Sequence, residues 1–304
     1  VKLIPKNVKL AIGAAVGFYI VSLGFKNGGI MQIDGSISMG DIKTPAVLLT
    51  IIGLCLLVFL MSRKVKGAVF IGIIATTIIG IPMGITQVPE ALISMPPSIE
   101  PIFMKLDIMG ALKWSFFPLI FTFFVGDFFS TLGTLIGVSA KADLLDEEGN
   151  LPNIEKPFLV DSIATIVGAL FGSTVVTTYI ESASGVEEGG RTGLTAVSTA
   201  VCFALAIFIT PIVGMIPNQA TAPALIIIGL MMLSGLKDID FSDFTESFPA
   251  FATIAFTIFT NSISNGISMG IIAYMFTKVM AGKYKELNWG IYILSIPLIL
   301  YFLI

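Results

Sequence analysis

Histidine is absent from the 304 residues, and charged side chains make up only 12% of them against 55% hydrophobic. A soluble domain carries roughly twice that share of charge, so a water-soluble globule is excluded. The two cysteines, Cys55 and Cys202, both fall inside apolar runs, where a thiol packs as a small hydrophobe. With no imidazole and no paired thiols, a His/Cys metal set is not expected. An intramembrane enzyme would need such a set or a nucleophile with its base, and neither is visible, so the chain reads as no enzyme, with no cofactor and no metal. A net charge of -3 is too small to imply a nucleic-acid partner.

What the chain has in abundance is apolar length. Its mean hydropathy is +0.96, and runs long enough to cross a bilayer recur along it. Spans are predicted over roughly 8–24, 45–61, 68–84, 111–138 and 158–172, then, after a mixed element, over roughly 195–216, 220–236, 247–260, 264–281 and 288–303. The last is short and fits either the interface or a span. This is the pattern of an all-α polytopic membrane protein. Placing the N-terminal edge in the cytoplasm puts all but Lys26, Lys43, Lys105 and Lys113 of the 17 basic residues, Lys2 and Lys278 among them, on the inside. That count works only if the element after Gly172 crosses the membrane once. Residues 141–157 read as a solvated inside loop, and residues 90–113, with Pro96, Pro97 and Pro101, as an outside loop carrying a surface helix. Residue 1 is Val rather than Met, and the expectation is a fragment without its natural start.

Weak internal repetition points to symmetry. Ile4-Pro5 with Gly17 and Ser22 recurs as Ile216-Pro217 with Gly229 and Ser234, Pro45-Ala46 as Pro249-Ala250, and Gly72 to Ala75 as Gly270 to Ala273. Three early spans thus pair in order with three late ones of opposite direction, as in an inverted-repeat transporter whose substrate binds at broken helices near the midplane.

The candidate site follows from the stretch Gly172 to Arg191. Its first eight residues, Gly172 to Tyr179, are small, β-branched or hydroxyl-bearing, and Glu181 then precedes a short helical run. Non-helical backbone at membrane depth is tolerated only where protein or a cavity surrounds it, and an ionisable residue there marks function. Glu181 and Asp127 are the acids placed well inside spans, with Asp161 near the start of its own. No basic residue sits well inside a span to neutralise them. Two readings stand: a protonated carboxyl bonded to a neighbouring helix, or a proton carrier, ligand acceptor or both. A helix starting near Ile180, capped by Thr177 or Thr178, would present unpaired N–H groups to a flat heterocycle. Phe123, Phe124, Phe128 and Phe129 around Asp127 could stack on it, or simply pack. Gly133, Gly137, Gly168 and Gly172 are spaced for close helix packing. Glu187, Glu188 and Arg191 read as a solvated Gly-rich loop, one of them a possible gate residue.

These residues carry a resemblance. The blocks LIPKNVKLAIG, TLGTLIGV, LLDEEGNLP, TTYIESASGVEEGGRTGLTAV and TAPALIIIGLMM resemble the nucleobase-ascorbate transporter (xanthine/uracil permease) superfamily, and within it the AzgA-type hypoxanthine/guanine/adenine permeases. The resemblance implies an inverted-repeat fold of seven plus seven helices, the first four absent here. Residues 1–88 would be gate helices five to seven, 89–110 an extracellular loop, and 111–216 core helices eight to eleven with the substrate site. Residues 217–281 would be gate helices twelve to fourteen, and 282–304 an extra hydrophobic segment. It also implies proton-coupled uptake of a purine nucleobase across the plasma or inner membrane, with a homodimer through the gate domains.

By the same resemblance, Asp127 and Glu181 take the family's two carboxylate positions, for substrate and proton, and Thr131, Tyr179, Ile180 and Ser182 line the site. Ser130 stands where the branch commonly has a second acid, and Val175 where it has a threonine. Two other readings are carried forward: an anion or organic-acid transporter of the same fold, which an acid at position 181 disfavours, and a non-transporting fragment.

Overall fold

The computed structural model describes residues 4–303 apart from 35, 97, 148, 174 and 175. Lys2, Pro97, Thr174 and Val175, used above, lie outside the described residues, as does the side chain of Ser234. In chain order, helix α1 (Lys6–Asn27) leads to an antiparallel hairpin of β1 (Met31–Asp34) and β2 (Ser36–Met39), with Met31 opposite Met39. Then come α2 (Pro45–Ser62), α3 (Ala68–Gly80), the single turn α4 (Ile108–Ala111), α5 (Phe117–Lys141) and α6 (Glu155–Leu170). The second half holds α7 (Ser182–Glu187), α8 (Gly193–Ala206), α9 (Thr210–Gly214), α10 (Asn218–Met232), α11 (Phe244–Thr260), α12 (Ile263–Met280) and α13 (Trp289–Leu303). Among the described residues α1, α2 and the run Trp114–Lys141 are long and apolar enough to cross a membrane, and α3, α8, α10 and α13 are shorter apolar helices.

Local chemistry sets the boundaries. Thr44 accepts from the Val47 N–H at 3.4 Å and is followed by Pro45 in the first turn of α2, where a missing N–H costs nothing. Asp243 caps α11 through the Thr245 N–H at 2.8 Å, and Asn261 ends that helix in the left-handed conformation. Ser262 then caps α12 through the Asn265 N–H, so α11 and α12 form a hairpin with one residue on each side of the turn doing the work.

The span expected over 195–216 is two helices. α8 stops at Ala206 and α9 restarts at Thr210, because Pro211 has no N–H to donate and its ring displaces the carbonyl four residues earlier. The outside loop carries only the turn α4 and a 3-10 turn at Trp114–Phe116. No longer surface helix forms there among the described residues.

The contacts divide the chain into two compact units. One comprises residues 1–19, 98–180 and 232–304, the other 20–97 and 181–231. In the first, α12 packs against α5, α11 and α13, burying Ile267, Ile271 and Leu298. Its junction with α11 is very tight. A Cβ at Gly266 would meet the Thr253 carbonyl at 2.5 Å and collide with Thr257 Oγ1, and one at Gly270 would collide with Thr253 Oγ1. These threonines present a flat face because their hydroxyls turn back to the Pro249 and Thr253 carbonyls at 2.9 and 2.7 Å.

The last hydrophobic segment is integral to this unit. In α13 Ser295 and Leu298 are buried, and the Tyr301 hydroxyl donates to Asn265 Oδ1 at 2.8 Å. Just before it, Lys278 is 3% exposed and bridges Glu246 at 2.8 Å and Glu286 at 2.7 Å. Lys278 thus lies in the last turn of α12 rather than in a loop. Its hydrogen bond holds the Glu286 carboxyl below the usual range. Asp243 is likewise held well below its ordinary value by Lys283 and by the Thr245 N–H and hydroxyl.

In the second unit Leu57, Ala68, Ala224 and Ile227 form a buried cluster. Close approaches there use Gly53 against Thr76 and Gly24 against Ile226.

Glycine at position 266 is therefore a packing requirement. Gly266→Val is expected to lower the stability of the detergent-solubilised protein by about 1–3 kcal/mol, the range for overpacking. Gly193→Ala, whose Cβ meets nothing within 4 Å, should stay within about 0.5 kcal/mol. Thermal unfolding of both variants checks this.

Candidate functional site

The segment between α6 and α7 has no regular secondary structure at its described residues 173 and 176–179 and turns at 180. It begins at Gly172, in the left-handed conformation at φ +74° and with Ile102 where a Cβ would stand. A non-helical segment cannot satisfy its own polar groups, so neighbours must. The Ser173 N–H donates to the Gly168 carbonyl at 2.9 Å, and the Thr165 hydroxyl donates to the Val176 carbonyl at 2.8 Å.

The centre of this arrangement is Asp161 on α6. Its Oδ2 accepts from the Thr131 hydroxyl at 3.1 Å, and its Oδ1 from the Thr178 hydroxyl at 3.2 Å. Thr131 and Thr177 hydroxyls are 3.0 Å apart. A hydroxyl has one proton, and that of Thr131 goes to the carboxylate, so Thr177 is the donor to Thr131. One carboxylate thereby ties α5, α6 and the non-helical segment together. Thr177 and Thr178 do not cap the following helix, which corrects the expectation above: α7 has Glu181 at its N-cap and no side-chain cap bond.

The predicted residues fall in both units. In the first, Asp127 lies on α5 one turn before Thr131 and is half-buried, whereas Thr131 is fully buried. Asp127 makes no hydrogen bond or ion pair among the described residues. The Ser264 hydroxyl, on α12, donates to the neighbouring Gly126 carbonyl at 2.7 Å. Ser130 is half-buried beside Thr131. Tyr179 is exposed and Ile180 half-buried at the end of the non-helical segment.

The aromatic residues separate into two groups. Phe128 stacks on Phe158 at 5.1 Å, meets Phe129 edge-on at 5.2 Å and stacks on the exposed Phe124 at 6.0 Å, while Phe123 is exposed. In the second unit, Glu181 and Ser182 open α7 with exposed side chains. The Glu181 carboxylate has no partner among the described residues, and its carbonyl accepts from the Ser184 hydroxyl at 2.7 Å.

Asp161 is the residue that reading by spans underweighted. The available signal was its position: an acid in an apolar helix with threonines 30 and 17 residues away. A separate cavity of about 660 Å³ in the first unit is lined by Lys6, Lys9, Lys141 and Lys237 together with Asp143 and Asp146. None of the predicted site residues lines it. No cluster with metal-ligand composition occurs among the described residues.

Comparison with known proteins gives these features a lineage. Residues 1–269 match a family described as the Permease family. A protein of Methanocaldococcus jannaschii bearing a permease name is 43% identical over 96% of this chain and 68% of its own length. The adenine permease AdeQ of Escherichia coli is 40% identical over 94% of this chain and 64% of its own. The guanine/hypoxanthine permease PbuO of Bacillus subtilis is 37% identical over 95% and 68%. The chain thus spans about two thirds of the length of these relatives. A largely helical chain with membrane-length apolar helices, a non-helical segment pinned by a carboxylate and this degree of identity is a transporter rather than an enzyme, and it belongs to the permease family of the nucleobase-ascorbate transporters.

Proposed function

We propose that the protein takes up a purine nucleobase across the cell membrane in symport with H+. The observation that carries the reading is an acid without a partner among the described residues, Glu181, beginning a helix directly after a non-helical segment in a chain 37–40% identical to adenine and guanine/hypoxanthine permeases. A purine ring offers adjacent N–H and acceptor groups. The exposed Glu181 carboxylate accepts the N–H groups, and Tyr179, Ile180 and Ser182 flank the ring. Asp127, half-buried and free of hydrogen-bond partners among the described residues, receives the proton. Without histidine, coupling has to run through carboxylates.

The architecture that goes with this reading is an inverted repeat of seven plus seven helices. Residues 1–88 and 217–281 act as gate, 111–216 as core, and gate domains pair in a homodimer. Asp161 acts as a positioning residue, because it fixes the threonines that shape the non-helical segment without facing the ligand itself.

The test is uptake of labelled hypoxanthine by purine-transport-deficient cells expressing the complete gene, with adenine, guanine, xanthine and uracil as competitors. Saturable uptake that purines inhibit, uracil does not, and a protonophore abolishes is the expected result. Uptake that survives the protonophore removes H+ from the mechanism, and no uptake despite membrane expression removes the purine. Glu181→Gln replaces a charged acceptor and is expected to cut uptake by about tenfold to a hundredfold, the worth of a hydrogen bond to a charged group, with expression unchanged.

Asp161→Asn should act differently, since an amide cannot accept two hydroxyls on its two heads. Loss of about 1–3 kcal/mol of stability, seen as a lower melting temperature, should accompany its loss of uptake.

A further inference from the structure

The Gly-rich loop after α7, read from sequence as solvated, is built. Arg191 folds back on it, its Nη1 donating to the Val186 and Gly190 carbonyls, the latter at 2.9 Å. The Gly190 N–H returns to the Gly185 carbonyl at 2.9 Å, and Gly189 takes φ +101°, open to glycine alone without strain. This curl presents the carboxylate of Glu188, whose two oxygens both accept from the Gly67 N–H at 3.1 Å, 121 residues away. Gly67 is the N-cap of α3, in the left-handed conformation, and has no side chain with which to cap that helix. The cap of a 13-residue helix therefore comes from a distant loop, where carboxylate charge and helix dipole reinforce each other.

The position of this contact matters more than its strength. α7 is six residues long, less than two turns. Glu181 stands at one end and Glu188 immediately follows the other. Glu188 is exposed and Gly67 half-buried, so the contact opens into water.

We propose that Glu188 is a conformational latch: its docking on the N-terminus of α3 holds one state of the transport cycle, and α7 links that latch to occupancy at Glu181. The proposal rests on the reading that Glu181 holds the ligand. A transporter must alternate between states around its site, and a contact that holds one of them must release in the other.

The experiment uses the complete protein with Cys55 and Cys202 replaced by serine and cysteines introduced by Lys66→Cys and Glu187→Cys, neighbours of the contacting pair. A short bifunctional maleimide is expected to arrest hypoxanthine uptake when it links them, whereas a monofunctional maleimide leaves uptake within about twofold. Quantitatively linked protein that transports normally overturns the latch. Spin labels on the same cysteines in reconstituted protein give a readout that needs no transport. Close and separated populations are expected together, with Glu188→Ala enriching the separated one about fivefold, a usual size for such coupling. One close population, unchanged by Glu188→Ala, makes the contact a static cap and overturns the proposal. If unlinked protein takes up no purine while the two populations persist and shift in Glu188→Ala, the purine reading fails and the latch stands.

Discussion

Backbone that leaves the helix inside a membrane has no water to satisfy it, and this constraint organises the region around Asp161. The segment before α7 could have continued as a helix at no cost in hydrogen bonds. It leaves the helix instead. Thr165 meets the Val176 carbonyl, and Asp161 and Thr131 hold the side-chain hydroxyls of Thr178 and Thr177. The segment's shape thus depends on side chains from α5 and α6, and Tyr179 and Ile180 at its end inherit their position from it.

Threonine is the material suited to this setting. Its hydroxyl bonds to the carbonyl four residues earlier in a helix, leaving a methyl and a flat outline for the neighbour. Thr76 and Thr77 do this in α3, and Thr253, Thr257 and Thr277 in α11 and α12. Where no hydrophobic force drives helix association, close packing of small residues must do so. Gly266 and Gly270 meeting Thr253 and Thr257 are one case. Asp161 takes the same residue type for the opposite purpose, drawing the hydroxyl away from the helix backbone and towards a charge.

Much of this was legible in the chain. Apolar length gave the helices to within a few residues, and the hydroxyl-rich, β-branched run after Gly172 gave the break and the start of α7 near Glu181. Each of those rests on local chemistry. Pro211 was equally local, and the helix restart it forces was there to be read. The roles of Asp161 and Glu188 were not legible, because each depends on partners between 17 and 121 residues away. A carboxylate alone in a sequence does not say whether it is engaged. The hairpin β1–β2 was missed because it is short and lies between spans, where hydropathy is silent.

The three acids separate in consequence. Asp161 already accepts from two hydroxyls, so it is committed to holding the segment before α7. Asp127 is half-buried and has no hydrogen bond among the described residues. Glu181 is exposed and has no partner among the described residues. Carboxylates of one chemical kind thus divide, among the described residues, into one that is engaged and two that are not. The division comes entirely from which of them the surrounding threonines have already claimed.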